Sequence, residues 1–488
     1  MAALWVTHLS ALVTHRMHAL AFLLYALQGG AAFMPTLAVS RSWALRRDSP
    51  VSLRMAASSA QKEPGNYTHS TMQNTGKGAL WDRYEPDTRL IRGGYHGDEW
   101  SSDPLGRSYV NPPVYRASTI TFPSVEAIRE ATRLTVAKKG AGITYGLFGT
   151  PTTFALEEAF AIIEGADNAL AVSSGAAAIN AAFFAFVDSG DHVLVSDGVY
   201  SHTRQLCGTF LKGKCNVATT YFDPTCSPDE LEALIQPNTK LVFLESPSSN
   251  SFELHDFPAL AACAKQRGLI VIADNTWGPT LFHPMALGAD VSINAATKYI
   301  SGHSDVMLGL IASTREIYPA IRKSVQMLGC PASPDDCYLA LRGLRTLGVR
   351  LKQHALGGLQ VAEWLEKQPQ VARVLHPALP SHPQHAIWAR DFRGACGLFT
   401  IQLVDAYSTD AVDALCDNLA LFQKGFSWGG YESLILPTDI YRTVTAWTYG
   451  DGYGRTLRLH IGLEDVRDLI CDLQHGFACM EQVNNSTK

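Results

Sequence analysis

A chain of 488 residues, 47% hydrophobic and 17% charged, with a formal net charge of −5, has room for two or three domains and a large core. Its mild acidity offers no basic face for nucleic acid. Ten cysteines without a CxxC pair or a CxxC…HxxxH spacing argue against a zinc site, and in so long a chain they are expected as reduced thiols.

Residues 1–62 differ from everything that follows. One acid, Asp48, stands against Arg16, Arg41, Arg46, Arg47 and Arg54. Arg16 and His18 precede an apolar core that ends in small residues, "GGAAF". That layout is expected of a signal peptide cleaved after Ala32, and the apolar centre of about nine residues is too short to span a membrane. The acid-poor, Arg/Ser/Ala-rich stretch behind it reads as a transit peptide. Signal plus transit with Phe33 at the junction resembles the bipartite leaders of complex plastids. A plastid destination is therefore expected, with a mitochondrial or cytosolic one as the alternative. The polar run "QKEPGNYTHSTMQNTGKG" is expected to be a disordered linker.

From about Phe154 the chain alternates. "LEEAFAIIEG", "GAAAINAAFFAFV", "SHTRQLCGTFL", "PDELEALI" and "FPALAACAKQRG" read as helices. "NALAVSS", "HVLVSD", "NVATTYFD", "KLVFLES", "LIVIADN" and "VSINAATK" read as strands. These apolar runs are continuous rather than alternating, which predicts a mostly parallel sheet covered by helices on both faces. Ligands of such sheets collect at the carboxyl ends of the strands. The candidates there are Ser174, Gly175, Tyr200, Ser246, Ser249, Asp274, Thr297 and Lys298.

No GxGxxG follows a strand and no GxxxxGK[ST] occurs, so a nicotinamide fingerprint and a P-loop are both excluded. "SSGAAAIN" opens a helix directly after a strand, which suits a phosphate. Lys298 lies in the small, apolar run "INAATKYISGHSD" and is expected to be buried. A buried ammonium is costly, but a lysine that forms a Schiff base need not stay one. A lysine for an aldehyde, Asp274 for a pyridinium nitrogen, Tyr200 for stacking and a helix N-terminus for a phosphate together describe a pyridoxal 5'-phosphate site. In "TLRLHI", Arg458 alternates with Leu457 and Leu459, so it faces away from the core, where its fork can take a carboxylate.

Long segments carry a family likeness. "YGLFGTPTTFALEEAFAIIEG", "SSGAAAINAAFFAFVDSGDHVL", "ADNTWGPTLFHPMALGADVSINAATKYISGHSDVMLG", "GLRTLGVRLKQH" and "TLRLHIGLEDVRDLI" resemble the cysteine/methionine-metabolism group of fold-type-I pyridoxal phosphate enzymes, over roughly residues 88–483. The resemblance implies the fold-type-I architecture, an α/β fold. Its expected parts are a linker and N-terminal arm (63–149), a cofactor domain (150–345) and a smaller C-terminal α/β domain (346–488). It implies that Lys298 carries the cofactor, Asp274 pairs with the ring nitrogen and Tyr200 stacks on the ring. Gly175, Ala176 and Thr297 would hold the phosphate, with Ser249 near the ring hydroxyl. Arg458 would bind the substrate α-carboxylate, Ser427 and Trp428 would line the pocket, and Tyr145 would reach in from the neighbouring subunit of a dimer or dimer of dimers. "SWGGYESL" and the alanine in "NAATKY" favour the β-lyase branch, which splits cystathionine into homocysteine, pyruvate and ammonia. The γ-synthase and γ-lyase branches are the alternatives, and a non-catalytic cofactor-binding paralogue a remote one. Leu147 departs from the group's pattern, which places a phosphate-clamping arginine there; an unusual phosphate environment is expected.

Overall fold

The computed structural model describes residues 84–95, 107, 109–136, 143–438, 440, 443 and 456–486. The leader and most of the linker lie outside them. No helix among the described residues is long and apolar enough to cross a membrane.

Seven strands form the larger sheet: β1 (Asn168–Val172), β2 (His192–Ser196), β3 (Ala218–Phe222), β4 (Thr239–Glu245), β5 (Ile270–Asp274), β6 (Val291–Asn294) and β7 (Gly309–Ser313). Their spatial order is β1-β7-β6-β5-β4-β2-β3. The pairs β3–β2, β2–β4, β4–β5 and β5–β6 are parallel, while β7 runs antiparallel to both β6 and β1. All six strands read from the sequence are present. β7 is the addition: it follows the lysine segment closely, and an antiparallel neighbour needs no helical crossover to announce it.

The continuous apolar runs are explained by two cores, one on each face. Val193, Val195, Phe243, Ile272 and Ile293 point into one; Leu194, Val242, Leu244, Val271 and Ala273 point into the other. Successive side chains alternate between faces, so a strand covered on both sides must be apolar throughout. Phe243 stacks on Phe183 with ring centroids 5.2 Å apart. Truncating either ring to alanine would cost about 3–5 kcal/mol.

The main helices are α1 (Pro86–Arg92), α2 (Pro151–Glu164), α3 (Gly175–Phe184), α4 (Phe257–Gln266), α5 (Pro334–Arg345), α6 (Leu347–Leu365), α7 (Thr409–Asp417) and α8 (Val466–Ser486). The helix expected from Ser201 forms, but with a π-helical stretch at Leu206–Leu211. α1, in the segment expected to be an arm, is docked on its own chain. Arg345 donates to the carbonyls of Leu90 and Gly93, both at 2.8 Å, and Lys352 pairs with Asp87.

A second, smaller sheet has the order β10-β11-β12-β9-β8. Its strands are β8 (Val371–Leu375), β9 (Leu398–Leu403), β10 (Gln423–Lys424), β11 (Leu434–Thr438) and β12 (Thr456–His460). Phe399, Ile401, Leu457 and Leu459 pack there with Val361 and Leu365 of α6, Val412 and Leu415 of α7, and Leu469, Leu473 and Phe477 of α8. Trp277 joins the two parts, its indole donating to the carbonyl of Leu398 at 3.1 Å.

Candidate active site

The carboxyl ends of β1, β2, β4, β5 and β6 open on one cleft, closed from the other side by the 426–428 segment, β11 and β12. The cavity measures about 580 Å³. Gly175, Ala176, Tyr200, Ser249, Asp274, Thr297, Lys298, Ser427, Trp428 and Arg458 all line it. Tyr145 does not; it is half exposed on a separate segment bridged to Thr119.

Lys298 follows β6 in a tight turn, its amide bonded to the Ala295 carbonyl at 3.0 Å. The residues behind it are pinned by Arg350 of α6, whose guanidinium donates to the carbonyls of Tyr299 (2.7 Å), Ile300 (3.2 Å) and Gly343 (2.7 Å). Lys298 is half-buried rather than buried as expected. The lysine segment forms a wall of an open cleft, so the amine can reach an incoming molecule. Its Nζ donates to Ser427 Oγ at 2.6 Å and lies 5.3 Å from the Trp428 ring centroid. Loss of solvation, followed by the positive charge of Arg458, brings the amine pKa down to about 8, while Asp274 acts in the opposite direction. Near neutrality a useful fraction is therefore an unprotonated nucleophile.

Asp274 ends β5, buried. Its Oδ1 accepts from the Thr276 amide at 3.0 Å and the Thr276 hydroxyl at 2.6 Å. Burial raises the Asp274 pKa, and the two Thr276 bonds and Lys298 oppose the rise. The Thr276 hydroxyl also accepts the Ala295 amide at 3.0 Å, so it ties the end of β5 to the end of β6. Neither Thr276 nor Glu245 was singled out from the sequence. Glu245 ends β4; it accepts the Tyr200 amide at 2.7 Å and the Ser249 hydroxyl. Burial first, and then the neighbouring Asp274 charge, push its pKa up to about 8.

At the other end of the cleft, Ser174 caps α3 by accepting the Ala177 amide at 3.1 Å. The amides of Gly175 and Ala176 in the first turn have no partner within the helix and border the cavity. Glycine is needed at 175 because a Cβ there would meet Ala295 Cβ at 2.7 Å. Thr297 is also present, but its hydroxyl is engaged with Leu308, accepting the amide at 2.9 Å and donating to the carbonyl at 3.2 Å. Tyr200, half exposed, sits on the wall.

Arg458 enters from β12, where Leu457 and Leu459 face the core as expected. It donates to the Ser427 carbonyl at 3.2 Å, and burial lowers its pKa. The cleft thus holds a depressed-pKa amine, a fixed carboxylate, free helix-end amides, an aromatic side chain and a guanidinium. That donor set fits pyridoxal 5'-phosphate plus an amino-acid carboxylate.

Comparisons with known proteins agree with this chemistry. Residues 87–478 match the family model described as Cys/Met metabolism PLP-dependent enzyme. "Cystathionine beta-lyase MetC" of Escherichia coli is 42% identical over 397 residues, 80% of this chain and 98% of that protein. An "L-alanine/L-glutamate racemase" of Wolbachia pipientis is 39% identical over 391 residues, 78% of this chain and 94% of that protein. Among solved structures, metB from Corynebacterium glutamicum superposes with a TM-score of 0.73 at 29% identity, covering 82% of this chain and 99% of that one. With the family model spanning most of its length and the cleft holding the matching donor set, the chain belongs to the Cys/Met metabolism PLP-dependent enzymes.

Proposed function

We infer that the protein is a carbon–sulfur lyase that cleaves L-cystathionine by β-elimination into homocysteine, pyruvate and ammonia. The observation that carries this reading is the Lys298 amine, held by Ser427 and Trp428 in one cleft with Asp274 and Arg458. The similarity to the Escherichia coli lyase points to the same reaction.

Pyridoxal phosphate, when bound, supplies an aldehyde for the substrate amine and a ring that accepts the electron pair left at Cα. Lys298 would hold the aldehyde carbon, Asp274 the ring nitrogen, and the Gly175 and Ala176 amides with Thr297 the phosphate. Tyr200 would stack on the ring and Ser249 would lie near its hydroxyl. Arg458 binds the substrate α-carboxylate with the nitrogens its Ser427 bond leaves over. The Lys298 amine takes the Cα proton at Nζ and returns a proton to the departing homocysteine sulfur. Ser427 orients that amine, and Trp428 keeps water from its open side.

Tyr145, exposed and outside its own chain's cleft, fits a role in the cleft of a second subunit, taking a proton from the incoming substrate amine. A dimer is then the smallest active assembly, and a dimer of dimers is its extension. The acid-poor leader supports delivery to a plastid, which a fluorescent fusion of residues 1–62 would reveal.

Product identification tests the reaction. Purified enzyme given L-cystathionine releases homocysteine and pyruvate; cysteine and 2-oxobutyrate would mean γ-cleavage instead. O-Succinylhomoserine is the control for a synthase and L-alanine for a racemase. Lys298→Ala abolishes both the visible cofactor absorbance and pyruvate release. Retained activity in that variant would end the reading.

A further inference from the structure

His460 is buried one layer behind the cleft. It lies two residues beyond Arg458 on β12, so both project from the same face of the strand. Its two ring nitrogens have unlike partners. Nδ1 lies 3.0 Å from the Glu432 carbonyl, which can only accept; Nε2 lies 3.0 Å from the Gly429 amide, which can only donate. The ring is therefore the neutral Nδ1–H tautomer, with the Nε2 lone pair receiving Gly429.

Gly429 belongs to the segment that covers Lys298. Its φ is +91° and that of Ser427 is +81°, a left-handed geometry that is strained for a residue such as serine. A Cβ on Gly429 would meet Tyr299 N at 2.7 Å and Lys298 C at 2.8 Å, so the two backbones are in contact. Between the strained Ser427 and this contact sits Trp428. Tyr299 touches the Trp428, His460 and His354 rings, with centroids 5.4, 5.8 and 5.1 Å away. Two bonds from one face of β12 tie this segment down: Arg458 to the Ser427 carbonyl and His460 to the Gly429 amide.

We propose that His460 is a positioning residue: by accepting the Gly429 amide it holds Ser427 and Trp428 against the Lys298 amine. The groups around it favour the neutral ring on which this depends. Burial, then His354, and more weakly Arg458 and Lys298, push its pKa down to about 3, against the opposing Glu432 carbonyl. The acceptor is therefore intact at every pH at which the enzyme would work. The proposal rests on Lys298 being the cofactor-bearing amine.

Three variants of the full-length holoenzyme test it: His460→Leu has no acceptor, His460→Asn is too short to reach Gly429, and His460→Gln can place an oxygen near Nε2. The readouts are cofactor bound per chain, the pH midpoint of the visible absorbance band, and KM and kcat separately. All three bind a full complement of cofactor, because Asp274, Gly175 and Ala176 stand on other elements. The Leu and Asn variants admit water beside the Lys298 nitrogen, so its protonated form is better tolerated and the midpoint rises by about one pH unit. Their KM rises about tenfold as Ser427 and Arg458 lose register. His460→Gln restores both values to near the wild type. Leu and Asn variants that titrate like the wild type overturn the proposal, as does a folded Gln variant that deviates as far as Leu. If the Leu variant fails to fold, the Asn and Gln pair decides. A visible cofactor band that survives Lys298→Ala would overturn the functional reading itself, a result separate from these.

Discussion

Glu245 and Asp274 are register partners at the ends of β4 and β5, two buried carboxyls in one corner of the cleft. Both are raised above their ordinary values, chiefly by burial. The folded chain therefore keeps protons that the unfolded chain releases above about pH 4. This contribution to stability is complete below that pH and is lost as pH rises through about 8 for Glu245. Glu245→Gln keeps the shape and removes that titration. In cofactor-free protein, the wild type loses roughly 1–3 kcal/mol more than the variant between about pH 5 and 8. Denaturant unfolding at the two pH values measures the difference. Equal losses would show that Glu245 is already ionised at pH 5.

Lys298 titrates with the opposite sign. Its folded pKa of about 8 lies below the ordinary lysine value of 10.5, so the unfolded chain binds the extra proton between those values. Stability of the cofactor-free protein therefore rises with pH across that window, and the full cost of the confined charge is present below it. Lys298→Met removes the cost while filling similar space. Some of the gain is offset by the lost bond to Ser427 and the contact with Trp428. The variant is expected to be more stable than the wild type at pH 7 by about 1–3 kcal/mol, with the gain fading near pH 10–11. A variant less stable at pH 7 would mean that the amine contributes more by its contacts than it costs by its charge.

Much of this site was legible because its residues stand at strand ends. Continuous apolar runs give a strand away when both faces are covered, and the polar residues at the carboxyl end of each run fall on the rim; Ser174, Asp274 and Lys298 stand there. Thr276 and Glu245 were missed for different reasons. Thr276, two residues after an aspartate, is a common side-chain-to-backbone turn signal, but nothing local says that it also receives Ala295 from the next strand. Glu245 is the last residue of an apolar strand, and its bonds to Tyr200 and Ser249 span 45 and 4 residues. Nothing in the sequence singles out His460. Its role depends on a loop 31 residues away, a relation set by tertiary packing rather than by any period in the chain.

Arg458→Lys separates carboxylate binding from chemistry. The guanidinium bonds the Ser427 carbonyl through Nη2 and has a further edge to offer a carboxylate, whereas an ammonium is a point donor that cannot serve both. Loss of one charge-assisted bond costs about 1.5–3 kcal/mol. With L-cystathionine, KM is expected to rise about ten- to a hundredfold with a smaller fall in kcat. Steady-state kinetics checks this directly. An unchanged KM would place the substrate carboxylate elsewhere.

Leu147 provides a test of the shared site that does not depend on losing activity. It lies two residues after Tyr145, exposed, and neither residue borders the cleft of its own chain. If Tyr145 serves a neighbouring subunit, Leu147 goes with it, and the phosphate there receives no charged bond from that side chain. Leu147→Arg would restore one. A charged hydrogen bond of about 1.5–3 kcal/mol corresponds to about ten- to a hundredfold tighter cofactor binding. Equilibrium dialysis of cofactor against the variant, alongside its mass in solution, measures both sides of the argument. Tightening should occur only in the dimer, since the 145–147 segment does not line the cleft of its own chain. Unchanged affinity in a dimeric variant would show that the 145–147 segment faces away from the partner's phosphate.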